Sequence, residues 1–91
     1  MQLQYNLQAD MQIRLKLFAV ARDLAGRSEL ELELPHGADV AALRAALACK
    51  VPAFVPLLPH MQVAIDSRYA TEDEPVGPQS EVAIIPPVSG G

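Results

Sequence analysis

Glu29-Leu30-Glu31-Leu32-Glu33-Leu34 alternates charged and apolar side chains without a break. A period of two puts the leucines on one side of an extended chain and the carboxylates on the other, the pattern of a strand with one face in a core. Upstream, Ile13, Leu15 and Leu17 alternate with Arg14 and Lys16 in the same way. Cations on one strand and carboxylates on the other form favourable cross-strand pairs when the two lie side by side, each worth roughly a few tenths of a kcal/mol. The two segments are therefore predicted to pair, most simply antiparallel. The glutamates then line a solvated face, since nothing makes them converge on a cation.

The connection between these strands, Ala19 to Ser28, is too long for a tight hairpin turn. The spacing of Ala21, Leu24 and Ala25 predicts one or two helical turns, stopped at Gly26. After the second strand, Leu34-Pro35-His36-Gly37 reads as a turn, and Asp39 stands where a helix N-cap belongs. Val40, Leu43 and Leu47 recur at helical spacing in an Ala-rich stretch, which predicts the main helix from about Val40 to Cys49. Cys49 is expected to be a buried, inert thiol on that helix. Pro52, Pro56 and Pro59 forbid a long helix, so Ala53 to Leu58 is an apolar crossing with at most a turn or two. Gln62-Val63-Ala64-Ile65 is a strand, Asp66-Ser67 a turn into a short Arg68-Tyr69-Ala70 strand, and Thr71 to Ser80 an acidic loop. Val82-Ala83-Ile84-Ile85 is uniformly apolar, as expected of a central strand covered on both faces. The order of elements is α+β.

With 91 residues and 51% hydrophobic side chains, the chain makes one small domain with one core. Only four residues are aromatic, so Leu, Val, Ile and Ala must fill that core. A net charge of −4 argues against a nucleic-acid binder, which would need a basic face. One cysteine permits no internal disulfide and no Cys/His zinc spacing. His36 and His60 stand alone, without an acid or nucleophile in register, and are expected to be ordinary surface histidines. No segment reaches transmembrane length and no signal pattern opens the chain, so a cytoplasmic location is the default expectation. Residues 1–10 are polar and Gln-rich, and are expected to form a disordered extension to a domain spanning 11–91.

The chain closes on Pro86-Pro87-Val88-Ser89-Gly90-Gly91. Two prolines withhold N–H donors, ending sheet pairing, and favour an extended exit. From Pro87 onward the tail can reach roughly 15 Å, at about 3.3 Å per residue. Gly90 and Gly91 can enter a channel too narrow for other residues, and nothing crowds the terminal carboxyl carbon. The sequence contains no nucleophile–base pair, phosphate loop or metal cluster, so a free-standing catalyst is not expected. The reactive group is the Gly91 carboxylate, ionised at neutral pH and inert as an acyl electrophile until it is activated.

Glu81-Val82-Ala83-Ile84-Ile85-Pro86-Pro87-Val88-Ser89-Gly90-Gly91 resembles the ending of the MoaD family, the small subunits of molybdopterin synthase, and Phe18-Ala19-Val20-Ala21-Arg22-Asp23-Leu24-Ala25-Gly26 resembles its first strand-to-helix passage. The resemblance runs from Met11 to Gly91. It implies a β-grasp, ubiquitin-like fold, a mixed sheet packed on one main helix. It further implies that Gly91 is adenylated by a MoeB-like E1 enzyme using ATP and Mg, then converted to a thiocarboxylate by a sulfur donor protein. Gly90, Ser89 and Val88 would thread the active site of a MoaE-like large subunit, within a heterotetramer that sulfurates the cyclic pyranopterin precursor. Pro86, Pro87 and Ile85 would anchor the base of the tail. Phe18, which the alternation alone leaves either capped by the following helix or exposed, would join Arg22 at the partner interface. The family's usual Asp-Gly-Asp is replaced here by Pro78-Gln79-Ser80. Two other functions share the Gly-Gly ending: a sulfur carrier for thiamine thiazole or another sulfur metabolite, and a ubiquitin-like protein modifier.

Overall fold

The computed structural model describes residues 10–86. Strand β1 (Asp10–Leu17) and strand β2 (Glu29–Pro35) pair antiparallel in the register the charges require, with Arg14 opposite Glu31 and Lys16 opposite Glu29. Arg14 donates to Glu31 at 3.3 Å, and both side chains are exposed, so the pair adds little stability beyond fixing register. The strand starts one residue earlier than the pattern predicts, since Asp10 already lies opposite Pro35. The expected N-terminal extension otherwise falls outside the described residues.

Helix α1 (Ala19–Ala25) links these strands. It ends at Gly26, whose left-handed φ of 76° lets its N–H donate to the Arg22 carbonyl at 2.9 Å. Helix α2 (Val40–Lys50) is the main helix, and Val40, Leu43 and Leu47 on its inner stripe are wholly buried. Asp39 caps it, accepting from the Ala42 N–H at 3.0 Å. Two further N–H groups of the first turn are satisfied by the acidic loop: Val40 donates to the Glu74 carbonyl and Ala41 to the Glu72 carbonyl, both at 3.0 Å. This loop also carries Val76 into the core, where its N–H donates to the Ala38 carbonyl. The Pro78-Gln79-Ser80 segment closes as a turn: the Gly77 carbonyl accepts from the Ser80 N–H at 3.1 Å, with Pro78 at the corner.

The proline-punctuated crossing forms two short 3-10 turns, Pro52–Phe54 and Leu58–His60. Phe54, which ends the first of them, is wholly buried and is one of the largest core side chains. Arg44 on α2 ties the crossing down, donating to the carbonyls of Leu58 and Met61 and to Glu72, each at 2.8 Å. Strand β3 (Gln62–Ile65) then turns through Asp66 and Ser67, both with positive φ as a two-residue hairpin demands, into β4 (Arg68–Tyr69).

Strand β5 (Val82–Ile85) completes a five-stranded mixed sheet of order β2-β1-β5-β3-β4. It runs parallel to β1 and antiparallel to β3. It is central, as expected, but only one of its faces is fully covered. Val82 and Ile84 are buried against the helix side, whereas Ala83 and Ile85 are half-buried. Both helices and the crossing occupy the same side of the sheet, so among the described residues no layer lies over the other side. This is the β-grasp arrangement. Cys49 corrects a second expectation: it is exposed, because the inner stripe of α2 passes through Leu43 and Leu47 and position 49 turns outward.

Replacing Asp39 by Ala removes the side-chain cap of α2 and should cost about 1 kcal/mol. Thermal unfolding should show this as a drop of roughly 4–8 °C in Tm with the fold retained.

Candidate functional site at the base of the tail

The uncovered face of the sheet holds the residues that alternate away from the core. Cross-strand registers line up one row across it: Glu29, Lys16, Ala83, Ala64 and Tyr69 lie opposite one another on five successive strands. The row changes character along its length. At the β2 and β1 end it is charged; from β5 onward it is apolar. Two alanines side by side leave a shallow dimple in the sheet surface, lined by Lys16, Phe18, Ala64, Ser67, Glu81 and Ala83.

Phe18 follows β1 at the end where β5 also finishes. The parallel pairing of Leu17 with Ile84 places Phe18 and Ile85 one step further along neighbouring strands, both on the open side. Phe18 is 46% exposed, which resolves the alternative left by the alternation: α1 does not cap it. Ile85 lies opposite Gln62 of β3 and is half-buried, and Pro86 beyond it is buried. Pro87, Val88, Ser89, Gly90 and Gly91 lie outside the described residues. Tyr69, 67% exposed on the edge strand, borders the same apolar area. Nothing in the sequence assigned it to this surface, because a two-residue strand carries too little periodicity to show which way its side chains point. The available signal was the aromatic ring itself, two residues past a turn.

Arg22 sits on α1, exposed, and none of the ion pairs among the described residues involves it. The same helix exposes Val20 and Leu24, adding apolar surface one turn apart. His36 and His60 are exposed, and among the described residues no cluster of His, Cys, Asp or Glu could hold a metal ion. No helix among them is long and apolar enough to cross a membrane.

One charged pair borders the dimple. Lys16 Nζ donates to Glu81 Oε2 at 2.6 Å, although the β1–β2 register sets Lys16 opposite Glu29. Glu81 wins because its backbone is held: its N–H donates to the Asp66 carboxylate at 3.0 Å and its carbonyl accepts from the Asp66 N–H at 2.8 Å. The hydrogen bond from Lys16 to Glu81 and their mutual attraction raise the Lys16 pKa above its usual 10.5, with Glu29 adding to the effect. The hollow thus joins apolar side chains from the end of β1, from β3 and from β5, with the Lys16–Glu81 ion pair on its rim.

The ThiS family model matches residues 15–91 of this chain. The molybdopterin synthase sulfur carrier subunit of Arabidopsis thaliana is 34% identical over 83 residues, covering 91% of this chain and 86% of that protein. The protein of the same name from Chlamydomonas reinhardtii is 36% identical over 83 residues, covering 89% of this chain and 100% of that one. Among solved structures, a Pyrococcus furiosus protein described as subunit 1 of a molybdopterin converting factor superposes with a TM-score of 0.77 at 30% identity, covering 86% of this chain and 99% of that one.

The raised Lys16 pKa sets an alkaline signature. A folded-state pKa above the unfolded 10.5 stabilises the fold fully below that pH, and the contribution is lost as pH rises through the folded value. Urea midpoints should therefore fall above about pH 10.5 in the native protein, and that part of the fall should shrink in Glu81→Gln, where only Glu29 still acts on Lys16.

Proposed function

Because this chain belongs to the ThiS family, we propose that it is the sulfur carrier subunit of a molybdopterin synthase and that Gly91 carries the sulfur. The observation that supports this best is the position of the tail base: β5 ends at Ile85, one step along from the Leu17–Ile84 pair beside Phe18, which lines the uncovered apolar hollow. A partner docking on the hollow would hold the body while the residues beyond Pro86 extend into its active site.

The chemistry follows from the reactivity of a carboxylate. An E1-like adenylyltransferase would use ATP and Mg to join AMP to the Gly91 carboxylate, releasing pyrophosphate. A sulfur donor protein would then deliver a sulfur nucleophile, displace AMP and leave a thiocarboxylate. In the large subunit that sulfur would attack the cyclic pyranopterin precursor, and hydrolysis of the acyl–sulfur bond would return the carboxylate. Val88, Ser89 and Gly90 would thread the tunnel, Pro86 and Pro87 would stiffen the approach, and Phe18, Tyr69 and Ile85 would supply apolar contact. Arg22 on α1 would be a cation at the rim. The chain would hold no cofactor of its own.

Two measurements test the proposal. After incubation with the E1-like enzyme, ATP and a sulfur source, mass spectrometry should show exchange of one terminal oxygen for sulfur on Gly91. Adding the large subunit should convert the pterin precursor. Branched lysine conjugates in place of the sulfur exchange would indicate a protein modifier, and sulfur exchange without pterin conversion would indicate a carrier for another metabolite.

One residue added after Gly91 should lower pterin conversion at least about a hundredfold with an unchanged Tm, since the acyl carbon is displaced by a full residue. Gly90→Val should block the tunnel by bulk with a similar loss; full activity in that variant would mean that the passage is wide.

A further inference from the structure

We propose that Ala19 is a positioning residue for partner binding: its left-handed backbone sets the direction in which Phe18 leaves the sheet. The inference rests on the sulfur-carrier reading above and adds to it a residue that need not touch the partner.

Ala19 has φ of 52°. In that region the Cβ of an L-residue crowds the following carbonyl oxygen, which is why glycine usually occupies it. Glycine does so here at Gly26 and Gly37. The other positive-φ residues among the described ones, Asp66 and Ser67, form a hairpin turn that needs the geometry, and the Asp66 carboxylate gains the Glu81 N–H. Ala19 has neither glycine's freedom nor a polar side chain to offset the strain. It is exposed, so burial of its methyl group does not offset it either.

The surroundings hold the strained residue from both sides. Before it, the Leu17 N–H donates to the Ser28 carbonyl at 2.9 Å. After it, the Phe18 carbonyl accepts from Ala21 at 3.0 Å and from Arg22 at 3.4 Å, and Ala21 is wholly buried. Strain that persists because its neighbours over-determine it tends to mark a place where conformation serves function. Here the neighbour is Phe18, extended at φ −129° and ψ 154°, lining the hollow with Ala64 and Ala83. Alanine leaves that joint few backbone wells to sample. Glycine would open the mirror-image regions and let Phe18 swing.

The test compares Ala19→Gly, Ala19→Asn and Phe18→Ala for Tm, affinity for the large subunit, and kcat and KM in pterin conversion. Ala19→Gly should raise Tm by roughly 4 °C as the strain is relieved, yet weaken large-subunit binding about five- to tenfold, with KM raised and kcat unchanged. Asn tolerates the left-handed region better than Ala while keeping a restricted backbone, so Ala19→Asn should raise Tm and keep affinity within about twofold. Phe18→Ala should weaken binding at least as much as Ala19→Gly. If Phe18→Ala weakens binding and Ala19→Gly does not, the inference about Ala19 is wrong and the docking surface stands. If Phe18→Ala has no effect, the docking surface itself is wrong. Equal losses in Ala19→Gly and Ala19→Asn would mean the partner contacts the methyl group, which also overturns a positioning role.

Discussion

Parallel pairing of β1 with β5 holds this fold together. Leu15 and Leu17 lie opposite Val82 and Ile84, joining segments from opposite ends of the chain, and the last strand is inserted between β1 and β3 rather than added at an edge. Until that strand is in place, β3 and β4 have no sheet to join. Parallel strands also finish at the same end. The residue after β1 and the last residue of β5 are therefore delivered to one spot, which is how Phe18 comes to stand beside Ile85.

A second consequence is the sidedness of the sheet. Both helices and the proline-rich crossing pack on one face, and the core is complete there with Phe54, Leu43 and Leu47 wholly buried. The opposite face is left to the alternate residues of each strand. On β1 and β2 these are charged and offset one another, so water covers them at little cost. On β5, β3 and β4 they are Ala83, Ile85, Ala64 and Tyr69, of which Tyr69 is exposed, Ala83 and Ile85 are half-buried and Ala64 is buried. The boundary between the two halves is the Lys16–Glu81 pair, fixed by the hydrogen bonds of Asp66. The division puts the apolar half of this face at the end of β5.

Legibility followed the range of the interactions involved. Strands β1 and β2, the stop at Gly26, the cap at Asp39 and the stripe of α2 are readable because each rests on contacts within a turn or on strict alternation. The acidic loop is not: its carbonyls at Glu72 and Glu74 satisfy the first turn of a helix far earlier in the chain, a role that no local pattern records. Nor is the exposure of Cys49, since the alanines around it blur which side of α2 is apolar and its burial depends on where the sheet lies. The central place of β5 is written in its apolar run, but such a run cannot tell whether one face or both will be covered.

Residue order was enough to establish the set of elements and the antiparallel start of the sheet, and it raised the expectation that the Gly91 carboxylate is the reactive group. The first two follow from side-chain period and from the opposite charges of β1 and β2, the third from the freedom of glycine and the fixed φ of proline. Which side chains surround the end of β5 is a different matter, and it was settled in three dimensions. Phe18 comes from near the start of the chain, Ala64 and Tyr69 from a hairpin past its middle, Ala83 from its last strand and Glu81 from the residue before that strand. Their meeting depends on strand order, register and the parallel sense of one pair. Those are properties of long-range backbone hydrogen bonding, and a linear pattern of residue types does not encode them position by position.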